Sequence, residues 1–212
     1  MTNKKGKIFD DYRGGKLPLV EQFYTIQGEG YHMGKPAYFI RIGGCDIGCH
    51  WCDSKLTWNP EIHPLVDIEE IKKEVEATPA KSIVVTGGEP SLYNLDPLCE
   101  VLKPLGVKTF LETSGTGTIT GQWDWICLSP KKQSPPENVF YSKADELKVI
   151  IFDEGDFVWA EEVALLVSKE CKLYLQPEWS MYEKIIPAVV EFVKKNPHWN
   201  VSLQAHKFMH IP

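Results

Sequence analysis

The chain has 212 residues, of which 43% are hydrophobic and 25% charged, and its formal net charge is -6. That length can bury a core without disulfide staples, and the ordinary apolar share excludes a disordered or fibrous class. The acidic balance, with no long basic run interleaved with aromatics, excludes a nucleic-acid surface as the main function. Residues 1–7 are polar, and no stretch has the length and apolarity of a membrane span. The expectation is a single cytoplasmic domain, 1–212, that binds a small molecule and neither nucleic acid nor membrane.

In chain order, the first apolar strand is predicted over 38–42, with Arg41 near its end. Cys45, Cys49 and Cys52 follow at once, spaced Cys-x3-Cys-x2-Cys. Residues 59–64 read as a loop by their prolines. Asp67 caps a helix that Glu70 closes as a capping box, with Ile68, Ile71 and Val75 on one face. A second strand over 82–86 runs into Thr86-Gly87-Gly88-Glu89-Pro90, where glycines would let the backbone approach a ligand. Asp96 and Pro97 start the next helix, Leu98, Val101, Leu102 and Leu105 form its buried stripe, and Gly106 suits its C-terminal cap.

Further strands are expected over 108–112, 125–129, 147–152, 173–176 and 201–204, a loop over 129–137, and helices near 157–168 and 182–195. Strands alternating with helices define α/β architecture with a parallel sheet, either open or closed into a barrel. Arg41, Thr86, Glu112, Ser129, Gln176 and Gln204 all fall at or beside strand C-termini. Those ends converge on one face, where ligands bind.

Of the six cysteines, Cys99, Cys127 and Cys171 each sit alone among apolar neighbours and read as small core side chains. The other three admit three readings. They could bind zinc with His50 or Asp53 as fourth ligand, be incidental core thiols, or hold an iron-sulfur cube with one iron left open to a substrate or cosubstrate.

The pairing of Cys45-Asp46-Ile47-Gly48-Cys49-His50-Trp51-Cys52 with Gly87-Gly88-Glu89-Pro90 resembles the radical S-adenosylmethionine superfamily. Three flanking stretches narrow this to a likeness with its 7-carboxy-7-deazaguanine synthase family: Phe23-Tyr24-Thr25-Ile26-Gln27-Gly28-Glu29-Gly30, Leu128-Ser129-Pro130-Lys131, and residues 204–212, which end on His210-Ile211-Pro212. The resemblance runs from Phe23 to the terminal proline. It implies a partial, incomplete TIM-like barrel of about six parallel strands with helices outside. It also implies a 4Fe-4S cluster on Cys45, Cys49 and Cys52, with S-adenosylmethionine on the open iron.

In such an enzyme one electron into the cluster cleaves S-adenosylmethionine, and the resulting 5'-deoxyadenosyl radical abstracts hydrogen from the substrate. The family rearranges 6-carboxy-5,6,7,8-tetrahydropterin to 7-carboxy-7-deazaguanine with loss of ammonia, in queuosine and 7-deazapurine biosynthesis. The resemblance assigns Gly88, Glu89, Ser129, Pro130, Lys131, Gln176 and Pro177 to the cofactor. It assigns Ile26, Gln27, Gly28, Glu29, Arg41, Thr86, Glu112, His206 and Pro212 to the substrate, and Ser54 to magnesium. Gln27 and Glu29 suit the amide-like edge of a pterin, and the fork of Arg41 suits its carboxylate. The terminal carboxylate of Pro212 would fold over the substrate. An external one-electron donor such as flavodoxin or ferredoxin and a homodimer are further expectations. The competing readings are an activating enzyme that places a glycyl radical on a partner protein, and a zinc-binding module without activity.

Overall fold

In the computed structural model, which describes residues 15–212, β1 (Lys16–Ile26) and β2 (Pro36–Ile42) form an antiparallel hairpin. The polar segment 1–7 lies outside the described residues. After β2 come β3 (Leu65–Asp67), α1 (Ile68–Glu76), β4 (Ser82–Gly87), α2 (Asp96–Leu102), β5 (Lys108–Thr113) and β6 (Trp125–Leu128). The chain continues with α3 (Asn138–Lys143), β7 (Glu146–Ile151), α4 (Gly155–Ala164), β8 (Lys172–Pro177), α5 (Tyr182–Lys195), β9 (Trp199–Val201) and α6 (Ala205–Met209).

Among the described residues all nine strands form one sheet, in the order β3-β1-β2-β4-β5-β6-β7-β8-β9. From β2 to β9 every neighbouring pair is parallel, which makes seven parallel strands where about six were expected, and β1 and β3 add antiparallel pairings at one edge. The terminal strands β3 and β9 are not neighbours in that order, so the barrel stays open. β1 lies outside the predicted strands: KLPLVEQFYTI carries Pro18 and mixes polar with apolar residues, which conceals its pairing.

Local chemistry accounts for most of the boundaries. Asp67 caps α1 by accepting from Glu69 N at 3.0 Å, and Pro97 sits in the first turn of α2. Gly106 takes a left-handed φ of 65° where the chain turns into β5. The expectation of a strand over 201–204 needs correction, because β9 ends at Val201. The hydroxyl of Ser202 donates to Gln176 Oε1 at 2.7 Å and accepts from Gly30 N at 2.9 Å, which ties this segment to the inside of the barrel instead of extending the ladder.

Period-two alternation sends every second strand residue outward to the helices. Ile40, Ile42, Ile83, Val85 and Leu111 pack with Ile71 and Val75 of α1 and Leu98 and Leu102 of α2. Leu128, Leu147, Val149, Ile151 and Leu175 form a second core with Phe140 of α3, Phe157 and Ala160 of α4, and Ile185 and Val189 of α5. Each such side chain contributes about 1.5–3 kcal/mol when fully buried. The residues between them, including Arg41, Thr86, Glu112, Cys127, Glu146, Lys148 and Gln176, therefore face the barrel interior. These polar side chains build the site.

Candidate active site

A cavity of ≈ 290 Å³ opens at the C-terminal end of the parallel strands. Its wall includes Cys45, Cys49 and Cys52, and also Ser54, Ile26, Gln27, Gly28, Glu29, Arg41, Thr86, Gly88, Glu89, Glu112, Ser129, Lys131, Gln176, Pro177, His206 and Pro212. Pro130 is buried and lies outside this lining, between Ser129 and Lys131, which belong to it.

The cysteine loop is held by hydrogen bonds to the helical turn at 55–58, to itself and to Tyr93. Gly44 N donates to Thr57 O at 2.6 Å, Cys45 N to Trp58 O at 3.2 Å and Cys52 N to Cys49 O at 3.0 Å, while Tyr93 Oη donates to Gly43 O at 2.7 Å. The turn after β4 locks onto the same loop: Gly88 N donates to Ile42 O at 2.9 Å and Glu89 N to Gly44 O at 2.7 Å. A Cβ at Gly87 would overlap Ile42 O, and one at Gly88 would overlap Gly44 O. The close approach of Gly87 is to the end of β2 and that of Gly88 to the cysteine loop, and both glycines also line the cavity. The spacing between the two motifs is thereby fixed.

Glu89 completes the clamp. It is 1% exposed and accepts from Ser91 N at 2.9 Å, from Ser114 N at 2.7 Å, and from the hydroxyls of Thr113 and Ser114. Both carboxylate oxygens are therefore committed to the protein, and the charge stays buried because donors surround it. What Glu89 can offer a cofactor is backbone.

Cys45, Cys49 and Cys52 all line the cavity, and three thiolates are the donor set of an iron-sulfur cube that keeps one iron open to a cosubstrate. The six cysteines are free thiols. Burial pushes the Cys45 and Cys49 thiols up, and coordination by a metal removes such a proton outright. Gln133 Nε2 donates to Cys49 Sγ at 3.2 Å. Lys131 lies beside that thiol, its Nζ donating to Ser129 O at 2.5 Å and Ser129 Oγ at 2.9 Å.

The inner wall is a charge cluster centred on Lys148, which sequence reasoning missed. Lys148 Nζ donates to Glu29 Oε2 at 2.6 Å and Glu112 Oε2 at 2.9 Å. Gln27 Nε2 donates to Glu112 Oε1 at 3.3 Å, and Gln27 Oε1 accepts from Glu29 N at 3.1 Å. Burial works against the ammonium of Lys148, but the acidic groups of Cys127, Glu112, Glu29 and Glu146 hold its proton and lift its pKa well above the ordinary value. Glu29 mirrors this: burial resists its charge, and Lys148 with Gln204 outweighs burial and keeps the carboxyl below its usual pKa. The signal was legible in Glu146-Leu147-Lys148-Val149, two charges alternating with apolar residues in a strand buried on its outer side.

At the mouth, Arg41 Nε donates to Glu21 Oε1 at 2.6 Å, so the expected ligand group is also half of an ion pair. Gln204 Nε2 donates to Glu29 Oε1 at 3.0 Å and Asp53 Oδ2 at 3.1 Å, and Lys207 Nζ reaches the same Asp53 oxygen at 2.9 Å. Asp53 and Trp51 line the cavity without having been assigned to it, and Gln204, expected on the ligand-binding face but given no role, lines it too. His206 packs where a Cβ on Gly28 would stand, and burial lowers its pKa, which favours the neutral ring.

A parallel half-barrel with three cysteines facing a glycine turn across one pocket defines a radical S-adenosylmethionine protein, and residues 39–126 match the profile of the Radical SAM superfamily. The chain is 52% identical over 200 residues to the 7-carboxy-7-deazaguanine synthase of Flavobacterium psychrophilum, covering 94% of this chain and 95% of that protein. The synthase of Synechocystis is 44% identical over 92% of this chain and 93% of its own. The solved structure of QueE from Escherichia coli superposes with a TM-score of 0.80 at 27% identity, over 97% of this chain and 100% of that one. The chain belongs to the 7-carboxy-7-deazaguanine synthase family, and membership implies a 4Fe-4S cluster and S-adenosylmethionine. The partner-activating and zinc-module readings are thereby set aside.

Proposed function

We propose that this chain rearranges 6-carboxy-5,6,7,8-tetrahydropterin to 7-carboxy-7-deazaguanine with loss of ammonia, a step of queuosine and 7-deazapurine biosynthesis. The observation that carries the reading is one cavity in which the cysteine loop faces the Gln27, Glu29, Glu112 and Lys148 cluster. When bound, the cluster and S-adenosylmethionine supply a 5'-deoxyadenosyl radical that abstracts hydrogen from the substrate.

The chain's own residues bind, orient and exclude water. Cys45, Cys49 and Cys52 hold the cluster, and Gly88, the backbone of Glu89, Ser129, Lys131, Gln176 and Pro177 border the cofactor. The substrate's polar edge lies on Gln27, Glu29 and Glu112, whose carboxylates Lys148 fixes in place before the ligand arrives. Arg41, held through Nε by Glu21, offers its remaining donors to the substrate carboxylate. Ile26, Gly28, Thr86 and neutral His206 complete the contacts, and Pro212 covers the mouth.

Magnesium prefers oxygen ligands and keeps several waters, so the Ser54 hydroxyl and the substrate carboxylate suffice. Asp53, whose Oδ1 lies 3.4 Å from Ser54 Oγ, adds negative charge there. The enzyme draws its electron from an external donor such as flavodoxin or ferredoxin, acts as a homodimer in the cytoplasm, and forms a single domain. One sheet running through all the named strands supports the last of these. Among the described residues no helix is long and apolar enough to cross a membrane.

The test is anaerobic incubation of cluster-loaded protein with the carboxytetrahydropterin, S-adenosylmethionine, magnesium and reductant. The deazaguanine acid and ammonia should appear together. A protein that reductively cleaves S-adenosylmethionine yet leaves the pterin unchanged would sink the substrate assignment.

A further inference from the structure

Behind the substrate cavity lies a second, much smaller one of ≈ 10 Å³. Gln27, Glu29 and Glu112 line both spaces and form the partition, and the far side is built from His32, Cys127 and Glu146. Its size is that of one water, which requires two to four polar partners.

Two of those partners are unusual. Glu146 is 3% exposed; its Oε2 accepts from Tyr31 N at 3.2 Å and Trp125 Nε1 at 3.1 Å, while Oε1 has no hydrogen-bond partner in the protein. Gly30 makes room for that oxygen, because a Cβ there would overlap Oε1 and its φ of 63° suits glycine. His32 is fixed between aromatic rings, stacked on Phe110 at 4.4 Å and edge-on to Trp125 at 4.8 Å. The Lys35 ammonium approaches His32 Nδ1 at 3.4 Å, which makes Nδ1 the acceptor and leaves the ring proton on Nε2. That Nε2 is buried and has no partner in the protein. His32 and Glu146, each with one buried polar atom lacking a partner, thus line one water-sized space, and buried polar groups are rarely left so; a water there can accept from Nε2 and from a protonated Oε1, or donate to an ionised one.

We propose that the inner cavity holds one ordered water bridging His32 Nε2 and Glu146 Oε1, and that Glu146 is a positioning residue acting through Glu112 on substrate binding. The proposal rests on the reading of Glu112 as a substrate contact. Glu146 is faced by Glu112 of β5, Cys127 of β6, Lys148 of its own strand, and Cys171 and Tyr174 from the β8 side, with Tyr31 and His32 above it. Burial first, and the negative charge of Glu112 second, push the Glu146 carboxyl up to about 7. While it is protonated, Lys148 serves Glu29 and Glu112 alone. Once it ionises, a third carboxylate competes for the same ammonium and repels Glu112, so the geometry offered to the substrate loosens.

The test uses cluster-loaded holoenzyme. KM for the carboxytetrahydropterin should rise about tenfold between about pH 6 and about pH 8, the size of one pKa unit of coupling between two carboxyls. The kcat profile should not share that inflection. In Glu146→Gln the KM inflection should vanish, and a purely structural Glu146 would leave the two profiles parallel. Infrared spectra of protein labelled with 13C-glutamate give a readout that needs no turnover. A protonated carboxyl band should titrate away near neutral pH in the wild type and be missing from the glutamine variant. Density for a water between His32 and Glu146 should appear in a high-resolution crystal structure. Parallel KM profiles, no titrating band or no such water would each overturn the proposal. Should the variant not fold, the wild-type band and the water still decide it. Should the wild type not turn over the pterin, the substrate reading fails while those two observations still test Glu146.

Discussion

Lys148 gives the sharpest quantitative expectation. Replacing it with methionine keeps the stem and removes the ammonium that lies 2.6 Å from Glu29 and 2.9 Å from Glu112. Breaking a buried charge arrangement from one side costs about 3–5 kcal/mol, because the remaining charges are left without compensation. The cost must depend on pH. In the wild type Glu29 titrates below its ordinary pKa, so its contribution to stability is present above the unfolded pKa and is lost as pH falls through the folded one. Without Lys148 the leading influence on Glu29 is burial, which raises its pKa. The sign then reverses, and the variant loses stability as pH rises above the unfolded pKa. Urea midpoints of cluster-loaded wild type and Lys148→Met, measured anaerobically, should lie close together near pH 4.5 and separate by roughly the full 3–5 kcal/mol near pH 8. Adding Glu112→Gln to the variant should recover part of the loss. A gap that is the same at both pH values would refute the electrostatic account and leave Lys148 as packing.

Gly88→Ala forces a Cβ into Gly44 O and should separate the glycine turn from the cysteine loop; iron content and the reduced-cluster electron paramagnetic resonance signal should both fall. Glu89→Gln presents an amide nitrogen where donors from Thr113, Ser114 or Ser91 point, with an expected loss of about 2–4 kcal/mol in the denaturation midpoint. Deleting Pro212 from the cavity mouth should raise KM by roughly threefold to tenfold with little change in kcat, about the worth of one net contact; an unchanged KM would remove the idea that this residue covers the substrate.

The motifs were legible because their chemistry is local. Cys45, Cys49 and Cys52 announce themselves by spacing, and the strand ends carrying Arg41, Thr86, Glu112 and Gln176 follow from apolar runs that stop at polar residues. Long-range pairing was harder to see. Nothing in the sequence places Lys148 between Glu29 and Glu112, residues 119 and 36 positions away. A lysine inside an apolar strand is informative only once it is known which face of the strand the helices cover. The hairpin strand β1 stayed hidden for a related reason: it pairs antiparallel at the margin of the parallel array, where polar residues and Pro18 are tolerated.

The glycine turn and Glu89 bear on how the site tolerates its own charge. The turn after β4 is clamped to the cysteine loop by backbone bonds and to the end of β5 by the Glu89 carboxylate. The cysteine-loop side of the cavity is therefore held by groups whose hydrogen bonds are already committed. The inner wall, the proposed substrate side, is held by Lys148, Glu29 and Glu112, whose mutual attraction satisfies them before any ligand enters. A ligand that replaces part of that network must supply equivalent donors and acceptors, or leave a buried charge unpaired at several kcal/mol. Selectivity for a molecule with a complementary polar edge follows from this penalty, in the way that a site built to hydrogen-bond one group rejects an analogue lacking it. The shape of the cavity need contribute little.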